Sequence, residues 1–232
     1  MIQALPLLLA RAHRKRQPLL LCEVTCVEQI EACLEAANEK KAAIGLTLSV
    51  STSNQLALVE MLLPIAQFLA QRSKQPVGLE LRLTTPQLSN ISPYLGVEQL
   101  CFAVPTAAHH SSLQGDVIGI CTSLMSASKA DSNFHALRVP AELSWLGLSE
   151  TLRQLKRPLI LEEASMSPAR LKTIVRSGIA GISLAEQLDA SFTAGVRTAL
   201  RNRELSDPST YLRKGRLAVR ERVINYLNYL EA

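Results

Sequence analysis

The stretch "PVGLELRLTT", residues 76–85, places a carboxylate and a guanidinium two positions apart inside an apolar run. Side chains of an extended chain alternate, so Glu80 and Arg82 share one face while Val77, Leu79, Leu81 and Leu83 share the other. Such residues could form a buried ion pair in place of a metal site, contact a ligand, or stand in water at the end of a strand. Later in the chain, "RPLILEEASM" ends a second apolar run in Glu162 and Glu163. With Glu80, these carboxylates could do general acid–base work if they faced a pocket. His109 and His110 are the one adjacent histidine pair. Two neighbouring imidazoles on one loop rarely reach a single ion, and no carboxylate is close in sequence, so a surface loop is favoured over a metal site. No lysine lies in the apolar runs as a Schiff-base candidate, and neither Cys22 nor Cys121 has a visible partner for nucleophilic catalysis.

The elements that must position these groups recur regularly. Eight short, almost continuously apolar runs begin near Pro18, Ala42, Pro76, Glu98, Val117, Phe134, Arg157 and Ala180. Runs of that kind suit strands buried on both faces of a parallel sheet. Between them lie helical patterns. "CVEQIEACLEAANEKK" puts Val27, Ile30, Leu34 and Ala37 on one stripe. "NQLALVEMLLPIAQFLAQRSK" carries Pro64 as a kink or break. "SPARLKTIVRSG" has Ser167 at the N-cap, Pro168 at the first helical position and Gly178 past the end. "LDASFTAGVRTALRNR" and "LRKGRLAVRERVINYLNYL" follow, joined by "ELSDPST". Alternation of this kind predicts an α/β fold, a (β/α)8 TIM barrel, in one domain over residues 1–232 with a helical tail over 188–232. Only about a dozen residues separate strands four and five and about nine separate five and six, and the second gap is below the roughly ten to twelve residues that a full crossover helix needs. The barrel is therefore expected to be incomplete or degenerate around strands 4–6. Exposed sheet edges between residues 104 and 134, near Cys121 and Ser126, would then form a docking surface.

Composition narrows the function classes. At 47 % hydrophobic and 19 % charged residues the chain reads as an ordinary globular protein, and aromatics at 4 % are too few for single-strand stacking platforms. Five cysteines without a CxxC pair fit buried free thiols in a reducing compartment, so the expected location is cytoplasmic. No run is long enough to span a membrane. "RAHRKR", residues 11–16, either ends a first helix, where positive charge complements the dipole, or is an electrostatic footprint for nucleic acid or an anionic membrane surface. Arg213, Lys214, Arg216 and Arg220 form a basic C-terminal face, a candidate binding surface that a solvated or partner-docking helix would share. The apolar stripe Val223, Tyr226, Leu227 and Leu230 packs on the barrel or presents an interface.

Several of these stretches resemble the class II, metal-dependent ketose-bisphosphate aldolases. "GIAGISLAEQLDASFTAGVRTALRNRELSDPSTYLRKGRLAV" is similar to that family's C-terminal "AFTxAVR" and "DPRKYLxPxxxAV" region. "CVEQIEACLEAANEKKAAIGLTLS" is similar to its "NxEQxxAxxEAAEExxxPVILxxS", and "PVGLELRL" and "RPLILEEASMSPARLKTIVRSGI" match two further family segments. The resemblance spans nearly the whole chain and implies the barrel independently of the strand count. It also implies a site that this chain lacks. Arg82 and Leu83 stand where the family has a catalytic Asp and a zinc-binding His, and Glu162 stands where a second zinc His would be. Glu163, Ala164, Ser165 and Met166 replace phosphate-cradling glycines, and Ser183, Leu184, Ala185 and Glu186 replace an "NxxT" turn. Ser49 matches a family serine near the substrate, though a strand-terminal Ser is also a common cap.

Zinc needs about three protein donors and leucine offers none. The expectation is a shortened aldolase relative without metal, cofactor or catalytic residues, with Ser49, Glu80, Arg82, Glu162, Glu163 and Ser183 as vestigial positions. It would act as a scaffold or regulatory subunit on a protein partner, an active aldolase or another enzyme, and a homo-oligomer is compatible with this. The alternative is a divergent lyase or isomerase acting on a sugar phosphate through Glu80, Glu162 or Glu163. A third reading, nucleic-acid binding by the basic surfaces, is disfavoured by the scarcity of aromatics.

Overall fold

Strands form where the apolar runs predict them because each presents apolar side chains to both sides. In the computed structural model, which describes residues 1–50, 53–83, 99–106, 116–121, 134–140, 155, 157–162, 168–202 and 204–231, these are β1 (Leu19–Glu23), β2 (Ile44–Val50), β3 (Val77–Leu83), β4 (Leu100–Pro105), β5 (Val117–Ile120), β6 (Ala136–Pro140), β7 (Leu159–Glu162) and β8 (Gly181–Leu184). Each pairs in parallel with the next, and β8 returns to pair with β1, closing an eight-stranded barrel. Outward residues such as Leu46, Leu79, Phe102 and Leu161 join the core beneath the helices, while Leu21, Cys101, Ile118 and Ile160 fill the barrel.

The expected gap around strands 4–6 is not there. Phe102 to Pro105 pair with Val117 to Ile120, and Ile118 to Ile120 pair with Ala136 to Arg138. Closure depends on strand register, which a short connection can satisfy, whereas the spacing argument concerned only the crossover helices. Residues 107–115 and 122–133, where those helices would fall, lie outside the described residues, as do Ser126, His109 and His110. Cys121 is buried, and the docking edge expected beside it is consumed by pairing.

Helices α1 (Leu5–Lys15), α2 (Val27–Lys40), α3 (Ser53–Arg72), α4 (Pro168–Arg176), α5 (Glu186–Ala199) and α6 (Pro208–Glu231) complete the described elements. "RAHRKR" ends α1, with His13, Arg14 and Lys15 in its last turn. The helix lies across the N-terminal end of the barrel, where Leu5 and Leu9 are fully buried. Gly78 of β3 makes room for it: a Cβ there would stand 2.7 Å from Leu5 Cδ1. Pro64 does not break α3, which runs on to Arg72. Pro64 and Glu60 both face solvent, so the Glu60 carbonyl that loses its N–H partner can turn to water. Pro168 opens α4, and Gly178 follows its end at φ 92° with its N–H on the Val175 carbonyl; Ser167 lies outside the described residues. Asp207 caps α6, its carboxylate accepting from the Ser209 and Thr210 N–H groups at 3.1 Å each. Val223, Tyr226, Leu227 and Leu230 of α6 are buried in the core and pack on the barrel side of that helix.

Candidate functional site

Active sites of this architecture sit at the C-terminal ends of the strands, and there the polar residues of the interior collect. Glu23 ends β1, Thr47 and Ser49 lie on β2, Glu80 and Arg82 on β3, Arg138 on β6, Glu162 ends β7, and Ser183 lies on β8. Register brings Glu23 beside Thr47, Thr47 beside Glu80, Ser49 beside Arg82, and Glu162 beside Ser183.

At the centre is Arg138, with no exposed surface. Its Nε donates to Glu80 Oε1 at 3.0 Å, its Nη2 donates to Glu80 Oε2, and Nη2 also donates to Thr47 Oγ1 at 3.3 Å. Thr47 in turn donates to Glu80 Oε2 at 2.6 Å. Burial pulls the Arg138 pKa down, but Glu80, Glu162 and Glu23 outweigh it and hold the pKa above its ordinary value. The guanidinium is thus a fixed positive charge inside the barrel. Nearer the mouth, Arg82 Nη1 donates to Glu23 Oε2 at 3.3 Å, and its Nη2 lies 2.8 Å from Glu162 Oε1. The second contact is electrostatic, because Glu162 Oε1 takes no hydrogen bond. Arg138 Nη1 completes the array 3.8 Å from the same oxygen.

Glu80 and Arg82 therefore share a face, as alternation requires, but are not each other's partners. Glu80 is buried against Arg138, while Arg82 is half-buried between Glu23 and Glu162. Ser49 Oγ is buried without a hydrogen-bond partner, and Ser183 is buried next to Glu162. Glu163 lies outside the described residues. Sequence reasoning missed Arg138 and Glu23. Arg138 was visible as a lone cation inside the run "FHALRV", the same signal that singled out Glu80 and Arg82.

The zinc that the resemblance implies does not fit these residues. Leu83 is buried in the core cluster with no donor atom, and Glu162 is held between two guanidinium groups. Among the described residues no group of three His, Cys, Asp or Glu side chains could hold a metal ion.

The start of α5, after β8, is where a barrel of this kind often holds phosphate at a helix N-terminus. Here its first turn carries Glu186 and Asp189. Asp189 Oδ1 accepts from Gln29 Nε2 at 2.8 Å and from Thr25 Oγ1 at 3.3 Å, so the positive end of the helix is answered by the chain's own carboxylates.

The basic C-terminal face is partly engaged. Arg216 pairs with Glu31 at 2.7 Å and Glu35 at 3.8 Å, and Arg220 pairs with Glu39. These acids stand four residues apart along α2, so α2 and α6 are laced by a charge ladder. Arg213 and Lys214 remain exposed.

A parallel barrel whose mouth carries an array of carboxylates and guanidinium groups is the class that fold and site define. Solved structures place it more closely. The chain is similar over 99 % of its length to 97 % of the YdjI aldolase from Escherichia coli K12, at 18 % identity and a TM-score of 0.82. It is similar over its whole length to 95 % of a fructose-bisphosphate aldolase from Campylobacter jejuni, at 13 % identity and a TM-score of 0.78. The chain has the aldolase barrel fold. No protein-family model matches the sequence, and no curated protein sequence matches it.

Proposed function

We propose that the chain is a non-catalytic protein of aldolase fold that acts by protein–protein contact, as a scaffold or regulatory subunit in a reducing compartment. The observation that carries this reading is the internal pairing of charges at the barrel mouth. Glu80 is bound by Arg138, Glu162 lies between Arg82 and Arg138, and Glu23 accepts from Arg82. A carboxylate engaged by a guanidinium cannot turn to a substrate proton without breaking that pair. The Arg82 and Leu83 substitutions remove the acid and the metal ligand that the aldolase resemblance implies, and acids in the first turn of α5 oppose a bound phosphate.

Four of the five cysteines are buried and none is in a disulfide, which suits the reducing compartment. The test has two arms. Purified protein supplied with zinc and fructose 1,6-bisphosphate or other ketose bisphosphates is expected to give no cleavage above the protein-free rate. Tagged protein recovered from its own cells is expected to carry a protein partner in simple stoichiometry. Turnover that disappears in Glu162→Gln would overturn the reading.

A further inference from the structure

The basic run at the end of α1 takes no part in the mouth cluster; it lies at the opposite end of the barrel. There a cleft of about 360 Å³ opens between α1, the turn from α2 into β2, the turn from α3 into β3, and the last turns of α6. Its walls include Leu8, Ala12, Leu227 and Leu230, whose few per cent of exposed surface belongs to side chains otherwise packed in the core. Its edge carries Arg11, Lys15 and Lys41, all exposed. Arg11 is steadied by Gln3, to which its Nη1 donates at 3.0 Å. One acid, Glu231, lines the cleft, and it stands 4.0 Å from Lys40.

Dipole complementarity accounts for part of this charge. Lys15 lies in the last turn of α1 and Lys41 caps α2, positions where cations are favoured anyway. It accounts neither for Arg11, which precedes that last turn, nor for the apolar side chains that line the cleft beside the three cations. The lining side chains give three cations against one carboxylate, an excess of two positive charges. Small-molecule sites range from about 300 to 1,000 Å³ and combine apolar walls with a few charged groups that fix orientation. A polar sugar would gain little from these walls, and an apolar ligand without charge would ignore the edge.

We propose that this cleft binds an amphipathic anion: a short aliphatic chain against Leu8, Leu227 and Leu230, with a carboxylate or phosphate head at Arg11, Lys15 and Lys41. The site stands independently of any activity at the barrel mouth.

Calorimetric titration of the intact protein with octanoate and with octyl phosphate tests it, and the relative affinities tell which head is preferred. One molecule is expected per chain, with octanol and acetate, each carrying half of the chemistry, at least about tenfold weaker. Lys15→Gln with Lys41→Gln should weaken octanoate by about tenfold. Arg14→Gln with Arg16→Gln, equally exposed in the same run but outside the cleft, should leave it unchanged. Three results would overturn the proposal: no binding of either amphiphile, equal losses in the two double variants, or displacement of octanoate by an RNA oligonucleotide with a steep salt dependence, which would make the face a polyanion surface.

Discussion

Arg138 illustrates what one residue does when it is moved from water into a barrel. Both it and Glu80 must shed their hydration, and the hydrogen bonds among Arg138, Glu80 and Thr47 compensate only while all are present. Arg138→Met should therefore cost about 3–5 kcal/mol, read from urea unfolding midpoints, because it strands a buried carboxylate. Arg138→Met combined with Glu80→Leu should recover most of that loss, since neither charge then needs a partner. A single variant as stable as the parent would mean that water reaches Glu80. The cysteines allow a second residue-scale check. Burial pushes the Cys26 thiol up to about 11, so its thiolate is scarce at neutral pH. Its alkylation by iodoacetamide should keep accelerating from pH 7 to pH 10; a plateau near pH 8 would contradict that. At this scale the sequence exposed Glu80 and Arg82 by alternation but not their partners, which come from β1, β2, β6 and β7. Period-two reasoning assigns a face. It does not say what stands across the barrel.

At the scale of elements, helix ends were more legible than helix contacts. Pro168 and Gly178 bracket α4 as their backbone chemistry requires, whereas α6 starts at Pro208 behind an Asp207 cap, inside the stretch "ELSDPST" that was expected to be only a joining turn. Hydrogen bonds from Ser209 and Thr210 lower the Asp207 pKa from 3.8 to about 2. A depressed carboxylate pKa contributes stability that is whole above the unfolded value and is lost as pH falls through the folded one. The protection of the first-turn amides of α6, relative to their intrinsic exchange, should therefore fall between about pH 4 and pH 2, whereas in Asp207→Ala that protection should already be low at pH 5 and stay unchanged over that window. The contact between α5 and α6 was not legible, because the glycines that permit it carry no periodic signal. A Cβ on Gly195 would lie 2.6 Å from the Lys214 carbonyl oxygen, a backbone atom with little room to yield. Gly195→Ala should destabilise by about 1–3 kcal/mol through overpacking, despite the better helix propensity of alanine; an unchanged melting temperature would show that the helices slide apart freely.

The molecule as a whole is a closed ring stopped at one end by its first helix, and the sequence conveyed the ring better than the stopper. Eight apolar runs announced eight strands because parallel strands buried on both faces leave no other pattern. The spacing of strands four to six suggested an opening, yet ring closure is decided by register, and the pairs from Phe102–Val117 to Ile120–Arg138 close it. The stopper depends on side-chain room at the barrel floor, which only packing reveals. Leu5 enters where Gly78 leaves space, with its Cβ 3.1 Å and its Cα 3.3 Å from the position a Gly78 Cβ would take. A branched side chain there must push against the helix backbone, not only against a rotatable methyl. Gly78→Val should loosen α1 from the barrel: exchange of the Leu8 and Leu9 amides should approach that of an isolated helix. Leu5→Ala in the same chain should restore part of the protection by returning the lost volume. Ion pairs at the mouth lie at the other end of the ring, so hydrogen exchange near Arg138 should stay at its parent value. If Gly78→Val instead melts both ends together, the barrel and its stopper form one cooperative unit, and α1 is part of what holds the ring closed.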